Sequence, residues 1–174
     1  MLTDVTMRPV AAADIAAIEA LHDRAFGPGR YARTAYRVRD GLPSFSPLCR
    51  LAELKAAGQT GKIAAALRLA PITVGERRGA QLLGPLSVEP PLKGHGIGKA
   101  LVVEALGAAR AAGVRLIVLV GDLAYYERFG FGVAAPGRFD LGGPVDPARL
   151  LMLELTPVGA AGFAGQVRGD HTCA

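Results

Sequence analysis

Leu82-Leu83-Gly84-Pro85-Leu86-Ser87-Val88, followed by Lys93-Gly94-His95-Gly96-Ile97-Gly98-Lys99, is the stretch whose reading decides the fold. The apolar run predicts a strand and the alternate glycines predict a turn. The spacing of Ile97, Leu101 and Ala105, with Val102, Leu106 and Ala109, predicts a helix. Glycines let backbone approach a ligand closely, and a first helical turn presents N–H groups without intrahelical acceptors at a positive dipole end. Such a loop is suited to an anion, phosphate above all.

Two common phosphate loops fail on spacing. A G-x-G-x-x-G counted from Gly94 puts Lys99 where the third glycine belongs. A P-loop needs four residues between its glycines and Ser or Thr after the lysine, whereas Gly98-Lys99 is followed by Ala100. Downstream, Gly113 stops the helix, and Val114 to Val120 is a nearly unbroken apolar run, as in a parallel strand buried on both faces. Tyr125-Tyr126-Glu127-Arg128-Phe129-Gly130-Phe131 comes next.

The loop spacing [Q/R]-x-x-G-x-[G/A], with Lys93 in first place and Gly96 and Gly98 after it, resembles the pyrophosphate loop of the GNAT superfamily of N-acetyltransferases. Tyr126 ahead of Gly130-Phe131 resembles that family's second motif. The likeness covers about residues 4 to 156 in pattern and is specific from about 82 to 131. Lysine in the first place keeps the charge but loses arginine's bidentate fork. Gly121-Asp122 stands where the family usually has an asparagine.

The resemblance implies an α/β GNAT (acyl-CoA N-acyltransferase) fold. Its mixed, twisted sheet has about seven strands, the central parallel pair (82–88 and 114–120) splays apart, and about four helices accompany it. Pro85 cannot donate a ladder bond, which implies either a bulge or unpaired stretch in that pair or, alternatively, an edge strand. The implied activity is transfer of the acetyl group of acetyl-CoA to a primary amine, on a small molecule or on a peptide or protein, by direct attack in a ternary complex. Amides of Leu86, Ser87 and Val88 would face the thioester oxygen. The loop Lys93, Gly94, His95, Gly96, Ile97, Gly98 and Lys99 would hold the diphosphate. Tyr126 would be the catalytic proton donor, a phenol of reference pKa about 10 beside a thiol of about 8.5. The base stays open among Glu53, Ser87 through a water, Glu89 and Asp122, the last also the expected N-cap of a short helix. No activated nucleophile is visible, which favours direct transfer. Two readings of other classes stand beside this one: a CoA-binding sensor or scaffold without catalysis, and a basic RNA- or ribosome-associated protein on the same fold. A homodimer joined through the closing strands also fits the resemblance.

The rest of the chain sets bounds. Its 174 residues suit one domain over 1–157, with a Gly- and Ala-rich peripheral tail at 158–174. The net charge of +5 would steer an anion such as CoA, or nucleic acid. Arg30, Arg33 and Arg37 with Tyr36, on an expected helix from Tyr31 to Arg39, form either a solvated face or a wall of the acceptor pocket. No RNA-binding signature accompanies them, so nucleic acid is not the expected partner. No apolar run approaches the roughly 18 residues of a membrane span, and Met1-Leu2-Thr3-Asp4 does not open a signal peptide, so a soluble cytoplasmic protein is expected. Cys49 and Cys173 do not form a disulfide framework, and Cys49 reads as a buried, inert thiol. His22, His95 and His171 are scattered and give no metal-ligand spacing. Strands are expected at 5–10, 49–54, 62–74, 81–88 and 150–155, and a helix from Asp14 to Phe26. The meander turns are expected at Gly58–Gly61 and Gly75–Gly79.

Overall fold

The computed structural model describes residues 4–55 and 61–173, so the expected turn at 58–60 lies outside the described residues. In chain order come β1 (Val5–Pro9), α1 (Ile15–Phe26), α2 (Thr34–Val38), β2 (Arg50–Leu54), β3 (Lys62–Val74), β4 (Arg77–Val88) and α3 (Ile97–Ala111). Then follow β5 (Leu116–Val120), α4 (Leu123–Tyr126), β6 (Gly132–Val133), β7 (Phe139–Asp140), β8 (Leu150–Glu154) and β9 (Gly165–Gly169). Among the described residues this gives nine strands and four helices. The expectation of about seven strands falls short because β6 and β7 are two residues each, too short for alternation to show. The expected helix over Tyr31–Arg39 begins only at Thr34, because Arg33 is extended (φ −71°, ψ 137°) and Pro28–Ala32 forms a 3-10 turn. No helix of the described residues is long and apolar enough to cross a membrane.

The chain divides into two compact units, each built from three separate segments. The first takes the described residues of Met1–Gly29, Ser44–Leu69 and Pro85–Ala108. Here β1, β2 and β3 are antiparallel neighbours, with Val5 opposite Leu54 and Arg50 opposite Leu67. Helix α1 buries Ile18 and Leu21, and these pack with Val10, Cys49, Leu51 and Ala66. Cys49 is a free thiol 2% exposed, lying 3.5 Å from the Leu69 carbonyl, as a structural thiol should. Arg8 on β1 ties this unit together: its guanidinium donates to Asp14 ahead of α1 at 2.7 and 2.8 Å, and to Glu53 on β2 at 2.6 Å.

The second unit takes Arg30–Pro43, Ala70–Gly84 and Ala109–Ala174. In it β4 runs parallel to β5, β8 is antiparallel to β5, and β6 pairs with β8. Its core joins Ile72, Leu82, Leu116, Val118, Phe139 and Phe163. The stretch 158–174, expected as a peripheral tail, is instead built in. β9 pairs with β3 (Ile72 opposite Gly169) and with β7 (Phe139 opposite Gly165), and Phe163 is fully buried.

The parallel β4–β5 ladder is short. It pairs Ala80, Gln81 and Leu82 with Leu116, Ile117 and Val118, and there it ends. Two residues later Gly84 takes φ +121°, a backbone state open to glycine, and Pro85 brings no N–H. β5 runs on through Leu119 and Val120, which pair with Leu151 and Leu150 of β8.

Candidate active site

The loop before α3 is shaped by its glycines. Gly94 and Gly96 hold φ +82° and +81°, and a Cβ built at either would meet nothing within 4 Å. Both are exposed, as are Lys93, His95 and Lys99, while Ile97 and Gly98 are buried and seat the helix start. The Ala100 N–H donates to the Gly96 carbonyl at 3.0 Å, so Gly96 caps the helix, and the amides of Ile97, Gly98 and Lys99 lack intrahelical acceptors. His95 Nδ1 stands 3.2 Å from the Leu92 carbonyl and 3.1 Å from that of Lys93. Carbonyls only accept, so Nδ1 carries the proton and the ring braces the turn. The loop is an open basic cradle of amides, and a diphosphate fits it.

The end of β4 sorts the three expected amides. Leu86 and Val88 are half-buried while Ser87 and Glu89 are buried, the alternation of a strand. The Glu89 N–H donates to the Ala64 carbonyl of β3 at 2.8 Å. In an extended chain neighbouring N–H groups point to opposite edges, so those of Val88 and Leu86 leave on the edge away from β3, and that of Ser87 faces β3. The Ser87 hydroxyl is also turned to β3, 3.5 Å from the Ala66 carbonyl.

In the second unit Tyr126 lies flat on the chain at Gly121. A Cβ at Gly121 would stand 2.7 Å from Tyr126 Cε2. The ring is set edge-on to Tyr125 (4.9 Å between centroids) and to Phe131 (5.7 Å). Burial first, then the nearness of Tyr125 and Asp122, holds its phenol well above the ordinary tyrosine range, so it stays protonated at any physiological pH. Gly121 is noted in the sequence only as half of the Gly121-Asp122 pair, with no role of its own. Its missing side chain is what admits the ring, and a glycine five residues before a tyrosine gives no periodic signal.

Residues 6–134 match the family described as the acetyltransferase (GNAT) domain. The chain belongs to the GNAT acetyltransferases. The uncharacterized N-acetyltransferase YhbS of Escherichia coli K12 is 31% identical over 124 residues, 70% of this chain and 70% of that protein. The solved structure of Escherichia coli YhbS in complex with CoA superposes with TM-score 0.79 at 25% identity, covering 97% of this chain and 91% of that one. A GNAT acetyltransferase from Brucella melitensis in complex with acetyl-CoA gives TM-score 0.71 at 29% identity, covering 98% and 97%.

In this GNAT chain the carboxylates considered as base are all engaged. Glu53 accepts from Arg8, and that hydrogen bond holds its carboxyl below the usual range, which weakens it as a base. Glu89, the residue after β4, is 5% exposed and receives Arg24 Nη2 at 2.5 Å, with Lys62 Nζ at 3.9 Å. Asp122 takes the N-cap position of α4, but its side chain makes no capping bond and instead pairs with Arg149 Nε at 3.3 Å. The expected side-chain cap is corrected accordingly. Among the described residues no group of three or more His, Cys, Asp or Glu is placed to hold a metal.

Proposed function

We propose that the protein transfers the acetyl group of acetyl-CoA to a primary amine by direct attack. The observation that carries this reading is the loop before α3: two exposed glycines at positive φ, open space at their Cβ positions, lysines on both sides and free helical amides ahead. Relatives superposing over nearly the whole chain were solved with CoA or acetyl-CoA. Acetyl-CoA, when bound, supplies an activated acetyl thioester. Lys93, Lys99 and the amides from Gly94 to Lys99 would hold its diphosphate. The Leu86 and Val88 N–H groups, on the edge away from β3, are the ones to stabilise an oxyanion; the Ser87 amide is not.

Tyr126 stays neutral, so it acts as a hydrogen-bond donor to the departing sulfur. Its raised pKa opposes full release of the proton, which the thiolate then takes from water. Glu53, Glu89 and Asp122 are ion-paired and the Ser87 hydroxyl is turned to the Ala66 carbonyl, so the attacking amine loses its proton to solvent. The rate at fixed total amine should therefore climb with pH up to the amine's own pKa, about tenfold per unit.

Calorimetric titration with acetyl-CoA and thiol release over a panel of amines test the reading. We expect micromolar binding and turnover, with Tyr126→Phe lowering kcat about a hundredfold and leaving the acetyl-CoA affinity alone. A protein that binds acetyl-CoA and turns over no amine would be a CoA-binding scaffold instead.

A further inference from the structure

Helix α2 ends against the strand that leads into the transfer site. Val38 is buried in the same core cluster as Leu82, so the end of the helix is seated at the last rung of the β4–β5 ladder. The next residue, Arg39, is 5% exposed, and its backbone is held on both sides: its N–H donates to the Tyr36 carbonyl at 3.0 Å, and its carbonyl accepts the Leu42 N–H at 3.1 Å. The Arg39 guanidinium lies 5.3 Å from the centre of the Tyr36 ring, and its Nη2 stands 3.1 Å from where a Gly84 Cβ would be. Gly84, at φ +121° and two residues past the last rung, thus lacks a side chain where a cation comes down on the strand.

No step above uses this cation. Water is largely excluded from it, so its charge acts through a lower dielectric than at the surface. A guanidinium carries five N–H donors in a rigid fork, and its charge persists whatever it bonds within the fold. The amides of Leu86 and Val88, which the transfer reading aims at the thioester oxygen, follow two and four residues after Gly84 on the same strand. As the amine nitrogen bonds to the acetyl carbon, that oxygen takes up negative charge. It gives the charge back when the carbon–sulfur bond breaks and CoA leaves as thiolate. We propose that Arg39 is a further catalytic residue of this transfer: its guanidinium, held at Gly84, faces the thioester oxygen and meets the charge that develops there. The inference rests on the transfer reading above and adds a side-chain cation to the two backbone amides. The other role open to Arg39 is structural, packing on Tyr36 to hold the end of α2, and such a role leaves the carbonyl untouched.

The probe is acetyl-CoA labelled with carbon-13 at its carbonyl, bound to the full-length protein without amine. A cation facing the oxygen polarises the carbonyl, which moves its resonance downfield from that of free acetyl-CoA and lowers its stretching frequency. We expect both displacements in the parent, smaller ones in Arg39→Met, and an intermediate position in Arg39→Lys, which keeps the charge and loses the fork. In turnover, Arg39→Met should lower kcat about a hundredfold with the acetyl-CoA affinity within about twofold, and Arg39→Lys should recover part of the loss. A parent whose bound carbonyl matches free acetyl-CoA overturns the proposal without any variant, which keeps it open to test should Arg39→Met fail to fold. Carbonyl signals unchanged in a folded Arg39→Met, or kcat intact in that variant, overturn it as well. If acetyl-CoA binds and is turned over with its carbonyl unmoved, this inference alone falls; if acetyl-CoA does not bind, the transfer reading falls and takes this one with it.

Discussion

Gly121 decides where Tyr126 can lie. The would-be Cβ sits 2.7 Å from the Tyr126 ring and 3.1 Å from Leu119 Cδ1, and Leu119 is itself buried, so an added methyl must displace the ring. Gly121→Ala should cut kcat into the range of Tyr126→Phe, about ten- to a hundredfold, with KM for acetyl-CoA within about twofold. Because both changes act on one hydroxyl, the double variant should be no slower than the worse single one. Steady-state kinetics over that cycle test it, and additive losses would mean that Gly121 acts elsewhere. Arg8 gives a stability counterpart. Its hydrogen bonds hold the Asp14 and Glu53 carboxyls below their usual range. Groups with depressed folded pKa stabilise above their unfolded values, here about 4, and lose that contribution as pH falls further. Arg8 is a third exposed, so removing it costs less than breaking a fully buried pair. Arg8→Met should lower stability at pH 7 by about 1–3 kcal/mol and flatten the loss below pH 4. Urea unfolding from pH 3 to 7 reads both effects.

One element, the loop with helix α3, carries the cofactor expectation, and it was also the most legible. Positive φ at Gly94 and Gly96 is a demand that few other residues meet, so it leaves a mark in the sequence. Gly96→Ala should cost about 1 kcal/mol of backbone strain and weaken acetyl-CoA at least tenfold, because the methyl enters the cradle. Lys93→Ala should weaken it less, with an effect that fades at high salt. Calorimetry at two ionic strengths separates these cases. The long runs of β3, β4, β5 and β8 and the apolar stripe of α3 were legible for a similar reason: each repeats its period often enough to be counted. β9 was not, since in Gly165–Gly169 only Val167 is buried and its pairing with β3 is set by tertiary register. The fate of the candidate bases was hidden too. Glu53 and Glu89 are held by arginines 45 and 65 positions away in sequence, and spacing cannot show such a partner. Which of the Leu86, Ser87 and Val88 amides is free depends likewise on how β4 sits against β3.

At the scale of the whole molecule, each compact unit draws on three discontinuous segments, and each has its own core cluster. The stretch after Pro157 belongs to the second of these cores, despite its glycines and alanines. Phe163 there is fully buried, in the cluster that holds Ile72, Leu82 and Leu116, and the Arg115 guanidinium lies over its ring at 5.5 Å. Val167 is 3% exposed on a strand paired on both sides, with β3 and with β7. A phenyl ring removed from such a place leaves a cavity that the clustered aliphatics can only partly close. Phe163→Ala should thus lower stability by about 3–5 kcal/mol, whereas Val158→Ser, at a side chain 76% exposed, should stay within about 0.5 kcal/mol. A chain ended at Pro157 loses the ring and both ladders of β9 together, and should fail to fold at 37 °C. Thermal and denaturant unfolding of the three variants decides the matter: if the shortened chain melts like the parent, this segment packs on the second core without supporting it.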